Sequence, residues 1–145
     1  MASPNTEAFY VTFTATGGTP WGHTNSLSDF WATTPWTEEL DGIWECALVE
    51  VSLEWPNTEE RLYLCCNAVH DSYINANRVQ LLRNVEKTGQ QRPIVKNAYL
   101  DPRYVRLIPG HRQHFRFYML DHTLSPVNFT SQNLHCVLHF RPKED

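Results

Sequence analysis

The chain has 145 residues, of which 41% are hydrophobic and 19% charged, and its formal net charge is −4. These values are typical of one folded domain with its own core, so we expect a single domain over residues 1–145, with 1–8 as a short flexible N-terminal segment. The apolar runs are too short to span a membrane, and the N-terminus lacks the basic and apolar regions of a signal peptide.

The first part of the chain predicts three strands, because its apolar residues alternate with polar ones instead of recurring at a helical spacing. The first strand is Ala8–Ala15, which ends at a Gly-Gly-Thr-Pro turn. A short edge strand is expected around Phe30–Thr33. The third strand, Ile43–Trp55, follows the turn formed by Asp41 and Gly42.

The third strand is unusual because both of its faces are mostly apolar and each carries a glutamate. We expect Trp44, Cys46 and Leu48 to face the core, with Glu50 on the same face near the end of the strand. Strict alternation makes the remaining residues an outer face, namely Ile43, Glu45, Ala47, Val49 and Val51. Such a face is costly to leave in water, so we expect a neighbouring chain or a crossing loop to cover it, with Glu45 near a base from residues 61–145.

The second part of the chain predicts five more strands. They are a strand with Leu62, Leu64, Cys66 and Ala68 on its apolar face, then Arg78–Val85, Arg103–Ile108, Gln113–Asp121 and Leu134–Arg141. Asp71–Asn77 is expected to be a loop and Pro93–Pro102 an extended linker. Eight strands without an amphipathic helix predict an antiparallel all-β fold, and the several long connections favour an eight-stranded single jelly-roll β-sandwich over an up-and-down barrel.

No motif in the sequence marks a catalytic, cofactor or metal site. Four cysteines, at 46, 65, 66 and 136, suit neither a zinc clip nor a disulfide framework, and we expect them to be reduced apolar residues. His111 and His114 face opposite ways in a strand, which disfavours metal binding. A nucleophile elbow and a phosphate-binding glycine loop are both missing from the sequence. We therefore predict that the protein is not an enzyme and has no cofactor.

Charge is divided unevenly along the chain. Residues 1–60 hold ten acids and no Lys or Arg, whereas residues 61–145 hold all twelve bases and six acids. Either strands of the two parts pair and neutralise each other within one fold, or an acidic edge of one copy docks on a basic edge of the next. The acidic first part argues against direct binding of nucleic acid.

Four of the five tryptophans fall within residues 21–44, which is too many for a short loop to bury in a small core. Since aromatic residues anchor interfaces, we take Trp21, Trp31 and Trp36, together with Glu45, as candidate interface residues. The same cluster, with Trp44, is also compatible with a carbohydrate-stacking platform.

The order of motifs over residues 9–141 resembles the small capsid-like proteins of Polinton/Maverick elements and adintoviruses, which are single jelly-roll penton (minor capsid) proteins. One matching segment is LDGIWECALVEV, with the pattern Leu-x-Gly-x-Trp-Glu-x-Ala-Leu-x-Glu. Others are Asn25-Ser26 before Phe30, Leu62-Tyr63 before Cys66, Gln80-Leu81-Leu82-Arg83 with Gln80 in place of proline, Asp121 before Pro126, Val127 and Phe129, and Leu138-His139-Phe140. The chain departs from the pattern at Leu124-Ser125, where a glycine is usual.

The resemblance implies a structural protein of the virion that forms homopentamers at the five-fold vertices of an icosahedral capsid. Its implied partners are other copies of itself and a major capsid protein of the double jelly-roll type, and its implied place of assembly is the nucleus of the host cell. The residues that carry the motif are candidate core positions, namely Gly42, Trp44, Leu48, Tyr63, Leu138 and Phe140. Two alternatives stay open: a β-sandwich module that binds glycan or protein, and another capsid or cement role.

Overall fold

The structure is a computed structural model, which describes residues 7–15, 30–34, 40, 42–55, 60–87, 94–110, 114–127 and 134–143. Within these ranges the chain forms eleven strands and no helix. The strands are β1 (Phe9–Ala15), β2 (Phe30–Thr33), β3 (Trp44–Glu54), β4 (Arg61–Cys66), β5 (Ser72–Ile74), β6 (Asn77–Val79), β7 (Leu81–Glu86), β8 (Ile94–Ala98), β9 (Val105–Arg106), β10 (His114–Leu120) and β11 (Leu134–Pro142). The predicted all-β class is therefore confirmed.

The strands form two main sheets that pack as a β-sandwich. Sheet one has the order β1-β11-β3-β8, and β9 pairs with β3 further along the same edge as β8. Sheet two has the order β2-β10-β4-β7, while β5 and β6 form a separate hairpin. Every pairing is antiparallel.

The pairings are nested along the chain. The first strand pairs with the last (β1 with β11), β2 pairs with β10, β3 with β8, and β4 with β7. Successive pairs belong alternately to sheet one and sheet two. The chain is therefore arranged like one long two-stranded ribbon that folds back and forth between two layers. Most paired strands are consequently far apart in sequence.

Aromatic side chains from both sheets build the centre of the core. Phe13 of β1 stacks on Phe115 of β10 with ring centroids 5.4 Å apart, and it lies 5.4 Å from Phe117 as well. Phe140 of β11 lies 6.1 Å from Phe115. Phe115, Phe117 and Phe140 are fully buried. Truncating one of them to alanine would cost about 3–5 kcal/mol, so this contact holds the two sheets together.

A β-bulge at Val49 corrects our expectation for the faces of β3. In the register with β11, Leu48 opposes Leu138 and Glu50 opposes Val137, so Val49 is an extra residue. The bulge changes which residues face inward. Trp44, Cys46 and Leu48 are buried in the core, as predicted, but Val51 is also a core residue and Glu50 is exposed. Placing Glu50 on the Trp44 face was therefore wrong.

Three connections also differ from the expectations. The supposed loop Asp71–Asn77 contains strand β5 and the turn of the β5-β6 hairpin, where Asn75 has a φ of 56°, a conformation that asparagine tolerates. The expected strand Arg78–Val85 is divided at Gln80, whose side-chain amide donates to the carbonyls of Asn67 and Val69 at 3.2 Å each. The expected linker Pro93–Pro102 contains β8, an edge strand of sheet one.

The outer face of sheet two carries a second apolar cluster. Cys65, Val79 and Leu81 are buried there, and half-buried aromatic and aliphatic residues pack around them, including Tyr63 and Tyr118. The adjacent Cys66 belongs to the main core, so the two neighbouring cysteines face opposite sides of β4, as expected. Cys66 is therefore buried between the sheets, and Cys65 is buried in the second apolar cluster.

The four cysteines are buried and form no disulfide. Burial raises the pKa of the Cys65 thiol to about 12, and it also raises the pKa of Cys46 and Cys136 above the usual range. Since the thiolate is the reactive form, the folded protein keeps these groups inert.

We predict that deleting Val49 leaves a folded protein, because Leu48 and Glu50 then become consecutive and still oppose Leu138 and Val137. The deletion removes the hydrogen bond that the backbone amide of Tyr99 donates to the carbonyl of Val49, which lowers the stability of the fold. Deleting Val137 on the facing strand, a matched control, removes a paired residue and turns the rest of β11 over. Thermal unfolding monitored by circular dichroism should show a cooperative transition for the first variant and not for the second; equal damage by both would contradict the bulge assignment.

We predict that iodoacetamide at pH 8 modifies none of the four cysteines in the folded protein and all four after denaturation, as counted by intact mass. Stability should also fall as the pH rises from about 9 to about 12, because the unfolded thiols ionise in that window while the folded Cys65 stays neutral. A cysteine that reacts before unfolding would show that its position is not buried.

Candidate assembly surfaces

Most of the residues in the family-like motif form the scaffold. Trp44, Leu48, Leu138 and Phe140 are core residues, and Trp44 packs against the ring of Phe9 at 5.5 Å. Gly42 has a φ of 80°, which an L-residue with a side chain adopts only under strain, so this glycine is needed to turn the chain into β3. Tyr63 lies outside the main core, in the second apolar cluster on sheet two.

The candidate interface residues are only partly described. Trp21 and Trp36 lie outside the described residues, and Trp31 is described as a backbone position of β2 that opposes Arg116 of β10. Glu45 lies on the outer face of sheet one, where its Oε1 accepts a hydrogen bond from Nε of Arg141 at 2.7 Å. The base expected beside Glu45 is thus Arg141 of the same chain, and a role of Glu45 between chains stays a prediction.

Arg141 is the centre of a polar and aromatic cluster on that outer face. Besides its ion pair with Glu45, its guanidinium lies 3.4 Å from the centre of the Tyr104 ring. The hydroxyl of Tyr104 forms a 2.8 Å hydrogen bond with Nδ1 of His139, and the ring of Tyr10 lies 4.5 Å from that imidazole. Partial burial and the nearby Arg141 lower the pKa of His139, which favours its neutral form in this bond.

The crossing segment that covers part of the outer face is the loop between β8 and β9, residues 99–104. Ala47, on the outer face of β3, is fully buried although it lies outside the main core. It opposes His139 of β11, the residue to which Tyr104 of this loop is bonded. Cover by a loop of the same chain is therefore one of the two arrangements expected for the outer face of β3.

The two charged parts of the chain meet within the fold. Acidic β3 lies between β11 and the edge strands β8 and β9, all from the basic part, and Glu45 pairs with Arg141. On sheet two, the guanidinium of Arg61 lies 3.3 Å from the carboxylate of Glu86. Both residues come from the basic part, and both side chains are largely exposed. Neutralisation within one chain thus occurs at β3, while five of the first ten acids, namely Asp29, Glu38, Glu39, Asp41 and Glu59, lie outside the described residues.

A mainly apolar pocket of about 250 Å³ opens where β3 begins, and we call it the Gly42 pocket. Its apolar wall includes Leu40, Ile43, Trp44, Leu107 and Phe115, and its rim includes the exposed residues His70 and Arg106. Sequence analysis identified Gly42 and Trp44 but not the pocket, because its wall comes from segments that are far apart in sequence. A wall of this composition is complementary to an apolar group.

The loop of residues 99–104 also holds the most exposed large apolar side chain of the described chain, Leu100. Arg83 of β7 places its guanidinium 3.7 Å from the centre of the Tyr99 ring and donates to the carbonyl of Asp101 at 3.2 Å. At the other end, Tyr104 is fixed by Arg141 and His139. Sequence analysis did not identify this loop as a surface feature. The pattern that could have indicated it is the turn-like segment Leu-Asp-Pro-Arg between two tyrosines, which are able to anchor its ends.

Two negative findings apply to the residues that the structure describes. Among them, no helix is long and apolar enough to cross a membrane. The same part of the chain contains no group of three or more His, Cys, Asp or Glu side chains placed to hold a metal ion.

Comparison of the chain with protein-family models and with curated protein sequences found no match. Any functional conclusion therefore rests on the sequence motifs and on the geometry described above.

We predict that the Glu45–Arg141 pair stabilises the fold by about 0.5–1 kcal/mol in a double-mutant cycle with Glu45→Gln and Arg141→Met, a modest value because the Arg141 side chain is 44% exposed. The pair Arg61–Glu86 is a control within the same chain, since its side chains are 66% and 60% exposed. Its coupling should be near zero, because two largely exposed, hydrated side chains lose conformational freedom when they pair and gain little Coulomb energy in water. Chemical denaturation of each variant gives both coupling energies. Equal coupling energies for the two pairs would contradict the prediction that the partly buried pair is the stronger one.

Proposed function

We propose that this protein is a single jelly-roll capsid protein that forms homopentamers at the five-fold vertices of an icosahedral capsid, as a penton or minor capsid protein. The observation that carries the proposal is the nested pairing of β1 with β11, β2 with β10, β3 with β8 and β4 with β7. Eight antiparallel strands in two layers, joined so that successive pairs alternate between the layers, are what a jelly roll requires, and this architecture is frequent in viral capsid proteins.

The sequence motifs support the same proposal at particular positions. The segment LDGIWECALVEV supplies the turn at Gly42 and the buried residues Trp44 and Leu48 of the central strand. The turn Leu124-Ser125 stands where the family pattern has a glycine, and Leu124 has a φ of 64°, a conformation that glycine adopts without strain. A family pattern with glycine at this position therefore fits the backbone of the chain.

The surfaces fit a protein that assembles rather than one that catalyses a reaction. A cyclic ring needs two different, complementary surfaces on each copy, because each contact is heterologous. The Gly42 pocket and the loop of residues 99–104 are two such distinct features. As a penton the protein would also contact a major capsid protein of the double jelly-roll type in the virion, after assembly in the nucleus of the host cell.

A glycan-binding module is the second candidate, and the position of Trp44 disfavours it. This side chain is 2% exposed and packs against Phe9 in the core, so it cannot stack on a sugar. A platform would then depend on Trp21, Trp31 and Trp36 alone. Binding to a glycan array by a strictly monomeric protein would favour this candidate over the penton.

We predict that the purified chain assembles into a ring of five copies, giving five times the monomer mass by native mass spectrometry and a five-fold ring by negative-stain microscopy. The acidic and basic parts of the chain should favour assembly at low salt, so about 1 M salt should shift the population towards monomers. A monomer at all concentrations, or a trimer, would overturn the penton proposal.

A further inference from the structure

Leu100 is presented on a loop that is fixed at both ends. Its side chain is fully exposed, whereas Tyr99 before it is held by Arg83 and Tyr104 after it by Arg141 and His139. The backbone amide of Tyr99 also donates to the carbonyl of Val49 at 2.9 Å. A single exposed leucine is common on protein surfaces. Leu100 differs from an ordinary exposed leucine, because its loop is already fixed and loses little conformational entropy when a partner covers the side chain.

The Gly42 pocket has the size and lining to receive such a side chain. Its volume is about 250 Å³, and a smaller apolar cavity of roughly 150 Å³ already holds a benzene molecule. Ile43 stands at its mouth with 40% of its surface exposed. Covering one leucine in a pocket of this kind contributes about 1.5–3 kcal/mol of transfer free energy.

The charges around the two features are complementary. Asp101 follows Leu100 directly and is exposed, while His70 and Arg106 are exposed at the rim of the Gly42 pocket. A leucine entering the pocket would therefore carry the carboxylate of Asp101 towards the guanidinium of Arg106, which favours the correct orientation of the contact.

Leu100 does not reach the pocket of its own chain. The amide of Tyr99, beside Leu100, is hydrogen-bonded to the carbonyl of Val49, whereas the pocket lies where β3 begins at Trp44, and five residues of strand span roughly 16 Å. The loop runs from Val49 towards the pocket and leads into Arg106 at the rim, so Leu100 stands at the end of the loop that is remote from the pocket. The occupant that matches the pocket on size and charge is thus the same loop of another copy.

We propose that Leu100 of one copy inserts into the Gly42 pocket of the next copy. The loop and the pocket are different patches, so the contact is heterologous and propagates from copy to copy until the ring closes. This inference rests on the proposed assembly and names the contact that builds it. Asp101 then lies beside His70 and Arg106 of the neighbouring copy.

Engineered disulfides test the contact directly, because the four native thiols are buried. Leu100→Cys and Ile43→Cys variants with different tags are co-expressed and mildly oxidised, and mixed dimers are counted by intact mass. The control pairs Ile43→Cys with Tyr73→Cys, since Tyr73 is another large exposed side chain, with 63% of its surface accessible. We expect on the order of tenfold more mixed disulfide with Leu100→Cys, because the contact raises the local thiol concentration. Equal yields with Tyr73→Cys would overturn the contact.

The double variant Leu100→Cys/Ile43→Cys separates this inference from the proposed pentamer. After oxidation, a covalently closed ring of five chains supports both. A closed ring of another number supports the Leu100 contact and overturns the pentamer. A pentamer by native mass without the mixed disulfide overturns the Leu100 contact and leaves the penton proposal standing. Two chains joined by two disulfides would overturn the heterologous contact in favour of a reciprocal one.

Discussion

The change of face at Val49 is the constraint on which sheet one depends. Strand β3 is central, with β11 on one side and β8 and β9 on the other, so it has a neighbouring strand on both sides along most of its length. The extra residue lets Leu48 and Val51 both reach the core although they are three positions apart. If β3 alternated regularly and Val49 were an ordinary paired residue, Glu50 would share the face of Leu48 between the sheets, where an unpaired carboxylate is strongly destabilising.

The edge between β7 and β8 is closed by polar side chains that cross from one sheet to the other. Asn97 of β8 donates to the carbonyl of Glu86 at 2.8 Å, and Arg83 of β7 reaches Tyr99 and the carbonyl of Asp101. These contacts satisfy buried polar groups at a place where the apolar core ends. They also fix the loop that carries Leu100, so the stability of the edge and the presentation of a surface side chain have the same cause.

Several groups that could react chemically are buried or engaged within the fold. Cys46, Cys65 and Cys136 are buried with raised pKa values, and His139 is hydrogen-bonded to Tyr104 beside Arg141. The Gly42 pocket is lined mainly by apolar residues, and Leu100, the most exposed large apolar side chain among the described residues, stands on a fixed loop elsewhere. Covering such a pocket and such a side chain with a second molecule is energetically favourable, and the proposed assembly would provide that cover.

The sequence by itself determined the positions of most strands and their inward residues. Alternation located β1, β10 and β11 because the inner face of each is more deeply buried than its outer face, and it also placed Trp44, Cys46 and Leu48 of β3 in the core. The motif order over residues 9–141 also suggested the jelly roll, whose strand order the nested pairing supports. Alternation does not separate an inner from an outer face where both faces are buried, as at Cys65 and Ala47.

Only the tertiary structure decided the bulge, the edges and the pocket. A bulge is defined by the register of the facing strand, which no local pattern encodes, so Glu50 was placed on the wrong face. Strand β8 was predicted as a linker because an edge strand has a partner on one side only and needs little apolar alternation. The Gly42 pocket and the clamps on Leu100 join residues that are tens of positions apart, and folding alone brings them together.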